Sequence, residues 1–269
     1  MRGYGILKQT KNSSELESHL EELDIVGFTI LPNVLKESEL VECRERVEKV
    51  YREQEEKFGR QSLETINELN VARCLLAYDE YFLNLLKPKP VTEMLNAVFG
   101  ENYVLALQNS IISQSGQVHH QSSWHRDIPY QDYVVSQPIG LNIYFCLDNY
   151  DEKSGSTVVL PFSHRLESMP SKEYVEKYQV SSTVNAGSVI VFNSWLYHRA
   201  GMNRSGKVRR GINHLYTVPV IRQQLDLPRL LGDKYRDDPK LRKVLGYEWE
   251  VPVSVDDWRE RRLEREKNR

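Results

Sequence analysis

The sequence predicts a mainly β fold, an antiparallel sandwich, barrel or jelly roll wrapped by helices. Three observations predict it. Between residues 103 and 220, runs of β-branched and aromatic residues are short and closely spaced. Turn residues separate them, in YDEKSGS, VNAGS and NRSGK. On either side, charged segments carry apolar residues at helical spacing. Many short strands with irregular loops are the pattern of closed or double-layered antiparallel sheets.

The elements follow in order. The first dozen residues have no periodic pattern, and SSELESHLEEL then opens on a serine with Glu15 behind it, a helix start. VGFTILPNV, residues 26–34, is a short strand ended by Pro32. Residues 35–58 place Leu40, Val41, Cys43, Val47 and Tyr51 at helical spacing among charges, an amphipathic surface helix. DEYFLNLLK and VTEMLNAVFG are two further helical pieces, the second stopped by Gly100. Strands are expected in NYVLALQNSIIS, PIGLNIYFCLD, STVVLP, YQVSSTV, GSVIVFN and KVRRGINHLYTVPV. The chain returns to helix in PKLRKVLGY and in DDWRERRLEREKNR, the last a solvated, fraying segment. With no internal repeat or low-complexity linker, residues 1–269 read as one domain. It has a helical N-terminal layer over about 13–100, a β core over about 101–220 and a C-terminal helical extension over about 221–269.

The bulk numbers narrow the function. Charged residues make up 28% of the chain and the net charge is −2, so nothing pulls it toward nucleic acid or an anionic membrane. The start of the chain has no apolar leader region, and no stretch approaches roughly 18 uninterrupted apolar residues. The three cysteines, Cys43, Cys74 and Cys146, are odd in number and widely spaced, which argues against a disulfide framework or zinc knuckle. A reduced, cytoplasmic, soluble protein is expected.

The chemistry concentrates in SSWHRDIPY, residues 122–130. On an extended strand alternate side chains point the same way, so His125 and Asp127 converge on one point. Alone, such a pair can bind a metal, move a proton or simply hydrogen-bond. A further histidine, His198, follows the apolar strand SVIVFN and a turn. Two histidines and one carboxylate form the ligand set of the facial triad of non-haem Fe(II) oxygenases, which leaves coordination positions open for O2 and a chelating co-substrate. His-x-Asp followed by a distant histidine suits a double-stranded β-helix, whose sheets bring distant strands together. A 2-oxoacid chelating the metal needs a cation for its far carboxylate, and arginine supplies a bidentate partner. Arg209 and Arg210 both stand at the right distance beyond His198, on opposite faces of one strand. Val208, Ile212 and Tyr216 share the face of Arg210, so pattern alone favours Arg210.

Several longer motifs carry a resemblance. DIVGFTILPNVLKESEL, WHRD, LDNYDEKSGSTVVLPFSHR and WLYHRAGMNRSGKVRRGI, spread over about residues 24–218, resemble the phytanoyl-CoA dioxygenase family of Fe(II)- and 2-oxoglutarate-dependent oxygenases. The resemblance implies a double-stranded β-helix (jelly roll, cupin-like). It implies Fe(II) on His125, Asp127 and His198 as the metal and catalytic residues, and the 2-oxoglutarate carboxylate on Arg209 rather than Arg210. It implies hydroxylation of an unactivated C–H bond of a small molecule with O2, releasing succinate and CO2. Relatives that halogenate lack the carboxylate ligand, and Asp127 is present here. One departure stands out. Relatives often carry a small hydroxyl residue two positions after the distal histidine, where this chain has Ala200. Asn142 or Ser113 is the expected replacement as a co-substrate contact.

Around this centre, Trp124, His120, Arg126, Trp195 and Arg210 are assigned to the substrate side. Arg199, Arg204 and Lys207 join Arg126 and Arg210 in a basic cluster that either attracts an anionic substrate or is solvated turn surface. The polar, aromatic run QVHHQSSWHRDIPYQDY favours a polar substrate over a fatty chain. His164 is expected to bond loop backbone, His214 to pack on the face opposite Arg209, and His19 to lie on the surface. Two other classes fit the same ligands: a cupin-type metal-dependent hydrolase or isomerase, which would not need Arg209, and a non-catalytic small-molecule binding module. The substrate-selecting loops, about 59–90, 114–137 and 222–252, have no readable pattern, and the oligomeric state has no signal.

Overall fold

A computed structural model describes residues 9–128 and 134–267, the side chains of His120 and Arg265 excepted. The helical start forms α1 (Glu15–Val26), with Ser14 accepting a 3.2 Å bond from the Glu17 amide as its N-cap. Strand β1 (Phe28–Leu31) follows, then α2 (Glu37–Phe58) with Leu40, Cys43, Val47, Val50 and Tyr51 buried along one face. A short α3 (Arg60–Thr65) and a three-residue β2 (Val71–Arg73) fill a stretch with no readable pattern. DEYFLNLLK forms a 3-10 helix over Glu80–Leu86, and α4 spans Lys89–Phe99.

The β core comprises β3 (Val104–Ser113), β4 (Gly140–Cys146), β5 (Thr157–Val159), β6 (Val180–Ser181), β7 (Val189–Asn193), β8 (His198–Ala200) and β9 (Arg209–Thr217). A short α5 (Lys172–Tyr178) precedes β6, and α6 (Leu227–Leu231), α7 (Pro239–Val244) and α8 (Val255–Lys267) complete the chain. Six strands make one sheet in the order β1-β7-β4-β9-β3-β2, and three make a second in the order β6-β5-β8. Every pairing is antiparallel. The N-terminal layer is therefore not purely helical, because β1 and β2 form the two edges of the larger sheet. Strand β8 has no apolar signature: its three residues, His-Arg-Ala, are ordered by pairing with β5.

The larger sheet is covered on both faces, and its two faces differ in chemistry. On the helix side, Ile212 and Tyr216 of β9, Ile143 and Phe145 of β4, and Val189 and Val191 of β7 join Cys43 and Val47 of α2 and Met94 of α4 in the main core. On the inner side, Ile111, Tyr144, Cys146, Ile190 and Phe192 cluster with Tyr150, Val159 and Leu196. Burial on both faces explains why GLNIYFC reads as a nearly unbroken apolar run. Among the described residues no helix is long and apolar enough to cross a membrane. All three cysteines are buried and unpaired. Burial pushes the Cys43 thiol up to about 12 and the Cys74 thiol up to about 11, and raises Cys146 as well.

Two histidines hold the shell together. His164 Nε2 lies 3.1 Å from the Asp24 carbonyl oxygen at the end of α1. His19 is not a surface residue: it is half-buried, its Nδ1 2.8 Å from Thr29 Oγ1 on β1. His214 is fully buried on the helix side, its ring 5.1 Å from that of Phe145 and its Nε2 3.0 Å from Gln108 Nε2.

Burial lowers the His214 pKa from 6.5 to about 3. Between those values the unfolded chain takes up a proton that the folded chain refuses, so stability falls as pH falls, by up to about 1.4 kcal/mol per unit. His214→Gln removes this contribution. Urea melts from neutral pH downward should show a shallower acid loss in the variant than in the native chain. Parallel losses would refute the assignment.

Candidate metal and co-substrate site

The His-x-Asp segment is held by backbone and by its middle residue. His125 and His198 exchange two backbone hydrogen bonds, of 3.0 and 3.1 Å, as an isolated antiparallel bridge. The Asp127 amide donates to the Ser194 carbonyl at 3.3 Å. His125 and Asp127 turn inward, so Arg126 between them turns outward into protein. It is buried, donates to the carbonyl oxygens of Trp195 (2.8 Å), Ser163 (3.1 Å), Glu167 (3.3 Å) and Leu166, and sits 4.0 Å from the Tyr197 ring centre. Arg126 is thus a strap that fixes its two neighbours, not a substrate contact.

The three predicted ligands converge. One donor atom from each of His125, Asp127 and His198 lies within 4.8 Å of the others. Asp127 Oδ1 is 3.7 Å from the Nε2 atoms of both histidines. His125 Nδ1 is 2.8 Å from the Ser123 carbonyl oxygen, and His198 Nδ1 is 3.0 Å from that of Leu196. Those carbonyls require protons on Nδ1, which leaves the Nε2 lone pairs facing each other and Asp127. Burial lowers the His198 pKa to about 4, so its ring is neutral, the ligand form. The other carboxylate oxygen, Asp127 Oδ2, accepts from Asn142 Nδ2 and, at 3.2 Å, from Asn213 Nδ2. Two imidazoles and one carboxylate oxygen, with these outer bonds, fit a divalent transition ion that keeps open positions.

Arg209 and Arg210 separate as strand alternation demands. Arg210 points to the helix side, where Glu48 of α2 and Asp148 pair with it, Asp148 Oδ2 at 3.1 Å. It is a structural ion pair outside the site, and the apolar stripe it shares marks the helix-covered face. Arg209, only 3% exposed, lines the cavity of His125, Asp127 and His198. Its Nη1 donates to the Gly155 carbonyl, its guanidinium lies 4.5 Å from the Tyr150 ring centre, and its Nε has no acceptor. No carboxylate among the described residues pairs with it.

Two glycines make this end of the cavity. A Cβ on Gly211 would lie 2.4 Å from both the Tyr144 and Tyr150 hydroxyls, which lean across β9 there. A Cβ on Gly155 would lie 2.5 Å from the Gly201 carbonyl oxygen, and its φ of +75° is costly for any other residue. That close backbone approach aims the Gly155 carbonyl at Arg209.

The remaining expected residues divide. The Asn142 amide nitrogen donates to Asp127 Oδ2 and Asn213 Oδ1, so it steadies the Asp127 carboxylate, while its Oδ1 has no partner. Ser113 pairs with Arg209 across β3 and β9 but lines a neighbouring cleft with Asn67, Asn70 and Gln117. Trp195 is 2% exposed and packs with Ala106, Ile128 and Leu215. Trp124 lies 5.3 Å from the Arg199 guanidinium, which donates to Gln179 Oε1 at 3.0 Å. The basic cluster does not converge as a whole: Arg126 and Arg210 are fastened outside the cavity, whereas Arg199 lines it while donating to Gln179. The side chain of His120 lies outside the described residues. Asn213, Tyr144, Thr157, Gln121 and Phe192 also line the cavity. Of these Asn213 carried a signal, as the inward polar residue two and four positions along β9 from Gly211 and Arg209.

Comparison with known proteins gives the family and the fold. The family model described as phytanoyl-CoA dioxygenase (PhyH) matches residues 23–211. The chain is 31% identical over 259 residues to "Uncharacterized protein Rv1501" of Mycobacterium tuberculosis, covering 93% of each. It is 29% identical to "Dioxygenase olcK" of Penicillium canescens over 154 residues, about half of each protein. Among solved structures, the non-haem alpha-ketoglutarate-dependent epimerase SnoN from nogalamycin biosynthesis superposes with a TM-score of 0.58. That match covers 76% of this chain and 83% of SnoN at 14% identity, a likeness of fold.

Asn142→Ala or Asn213→Ala should leave Asp127 free to rotate and raise the anaerobic Fe(II) dissociation constant about 10- to 100-fold, as loss of an outer-shell partner does. Calorimetric titration checks it. Native affinity in both variants would mean that the carboxylate is held by other means.

Proposed function

The chain belongs to the phytanoyl-CoA dioxygenase family of Fe(II)- and 2-oxoglutarate-dependent enzymes, and from that premise we propose that it hydroxylates an unactivated C–H bond of a small, polar metabolite. The observation that carries the reading is Arg209. A buried guanidinium with no carboxylate partner is costly unless a ligand supplies the anion. It shares one cavity with three side chains whose free donor atoms face each other. 2-Oxoglutarate has both halves of the required shape, a metal-chelating keto acid and a distant carboxylate.

In this reading His125, Asp127 and His198 hold Fe(II), which with 2-oxoglutarate and O2 supplies the oxidising equivalents as succinate and CO2 leave. The protein's own tasks are positional. The Nδ1 bonds to Ser123 and Leu196 fix the tautomer and orientation of both imidazoles, so that Nε2 faces the metal position. Asn142 and Asn213 hold Asp127 so that one oxygen remains free. Arg209 receives the far carboxylate. Phe192 and Ile111 line the same cavity with apolar surface that limits water. The carboxylate at Asp127 occupies the place a halide would need, which supports hydroxylation over halogenation.

The test is anaerobic titration with Fe(II) and then 2-oxoglutarate, following the weak visible charge-transfer band of the chelate. The native chain should develop the band. Arg209→Ala should need about a hundredfold more 2-oxoglutarate, the order expected for loss of a buried charge-assisted pair. Arg210→Ala should titrate like the native chain while melting at lower temperature. Metal binding without a band at any 2-oxoglutarate concentration would overturn the reading in favour of a metal-dependent hydrolase or isomerase.

A further inference from the structure

The cleft beside the metal cavity has no task in the site as described. The segment between α3 and β2 gives one wall, with Asn67 and Asn70, and Glu64 at the end of α3. The end of β3 and the loop after it give the other, with Ser113, Gln114 and Gln117. Backbone bonds fix both walls: the Ile112 amide donates to the Asn70 carbonyl at 2.9 Å, and the Gly116 amide to the Asn203 carbonyl at 2.8 Å. The cleft adjoins the metal cavity. Ile111 lines the cavity and Ser113 the cleft, two strand residues or roughly 7 Å apart. His119 lines the cleft and accepts from the amide of Gln121, which lines the cavity, at 3.2 Å.

The chemistry of this cleft is unlike that of the cavity. Four carboxamides, a hydroxyl and one carboxylate line it, and among the described residues no lysine or arginine does. Most of that hydrogen-bonding capacity is unspent. A 3.4 Å bond from Asn70 Nδ2 to Gln117 Oε1 is the single side-chain bond of the four carboxamides among the described residues. Ser113 is 5% exposed, and its hydroxyl has no hydrogen-bond partner among the described residues. Asn67 and Asn70 have a local cause as well, since both hold a left-handed backbone, with φ of 58° and 62°. Ser113, Gln114 and Gln117 have no such cause.

We infer that this cleft binds a neutral, polyhydroxylated ring of the substrate, a sugar or cyclitol. The substrate role rests on the oxygenase reading above; the binding does not. A carboxamide presents a donor and an acceptor side by side, which matches a pair of neighbouring hydroxyls. The Glu64 carboxylate, with no ion pair among the described residues, accepts from further hydroxyls. Leu69 and Ile112 offer apolar surface to the C–H face of a ring. A phosphate or carboxylate would find no cation here.

The experiment is saturation-transfer NMR on the metal-free chain. The neutral probes are the methyl pyranosides of glucose, mannose and galactose, and myo-inositol. Glucose 6-phosphate and glucuronate are the anionic probes, and glucosamine is the cationic one. A neutral probe should bind, and the anionic ones should bind no better. Ser113→Ala and Gln117→Leu should each weaken the neutral probe about fivefold, the loss of one hydrogen bond. Gln117 stands on an exposed loop, so its variant reports even if Ser113→Ala does not fold. Binding of no neutral probe, or native affinity in the folded variants, would overturn the inference. So would preference for the phosphate, or binding of glucosamine alone with loss in Glu64→Gln, the mark of a cation site. Added to the Fe(II)–2-oxoglutarate complex, the bound probe should shift the visible band. Binding that leaves the band unmoved would overturn the substrate role. A band without sugar binding would leave the oxygenase reading standing, and sugar binding without any band would overturn that reading instead.

Discussion

The two-residue period of β9 is the constraint on which the rest of the site depends. Arg209, Gly211 and Asn213 face inward, and Arg210, Ile212, His214 and Tyr216 face the helices. Because α2 and α4 cover the second face with apolar side chains, the register has a single solution: a slip of one residue would carry Ile212 into the polar cavity and Arg209 into the core. The same alternation in the segment after β3 turns His125 and Asp127 in and Arg126 out. In both places an outward arginine is fastened, Arg126 to backbone carbonyls and Arg210 to Glu48 and Asp148. The inward groups are thereby held at fixed positions by charges that take no part in the chemistry.

This arrangement concentrates unsatisfied polarity on one side of the sheet. Asp127 is satisfied at one oxygen by two asparagines and left open at the other. The two imidazoles are satisfied at Nδ1 and open at Nε2. Arg209 has one backbone acceptor and an aromatic face, but no anion. Native interiors tolerate few such groups. That four of them open into one cavity is the signature of a site completed by ligands, for which Fe(II) and 2-oxoglutarate are the proposed pair.

Much of this was legible in the sequence, for a physical reason that differs from residue to residue. His125 and Asp127 stood out by their two-residue spacing, and His198, distant in sequence, by its residue type after an apolar strand and a turn. Helix α2 and strands β3, β4 and β9 stood out because burial imposes period on a chain. The choice between Arg209 and Arg210 was not legible from pattern. An apolar stripe marks a buried face, but β9 has two of them, and the more apolar one packs on helices while the other lines the cavity. Strand β8 was hidden because its order comes from pairing with β5, and the strand pattern of STVVLP did not show that Thr157 lines the cavity. The basic cluster misled in the opposite sense: residues near in sequence were dispersed by the alternation and fastened separately.

The buried cysteines have a consequence for metal selectivity and for durability. Thiols react with peroxides and capture soft metals as thiolates. With Cys43 near 12 and Cys74 near 11, their thiolate population at neutral pH is roughly a hundred- to a thousandfold below that of an ordinary thiol. Cys146, buried in the inner cluster with Tyr144 and Tyr150, is suppressed further still. In the iron- and oxygen-dependent chemistry proposed above, these three thiols would offer little thiolate to compete for the metal or to meet a stray oxidant.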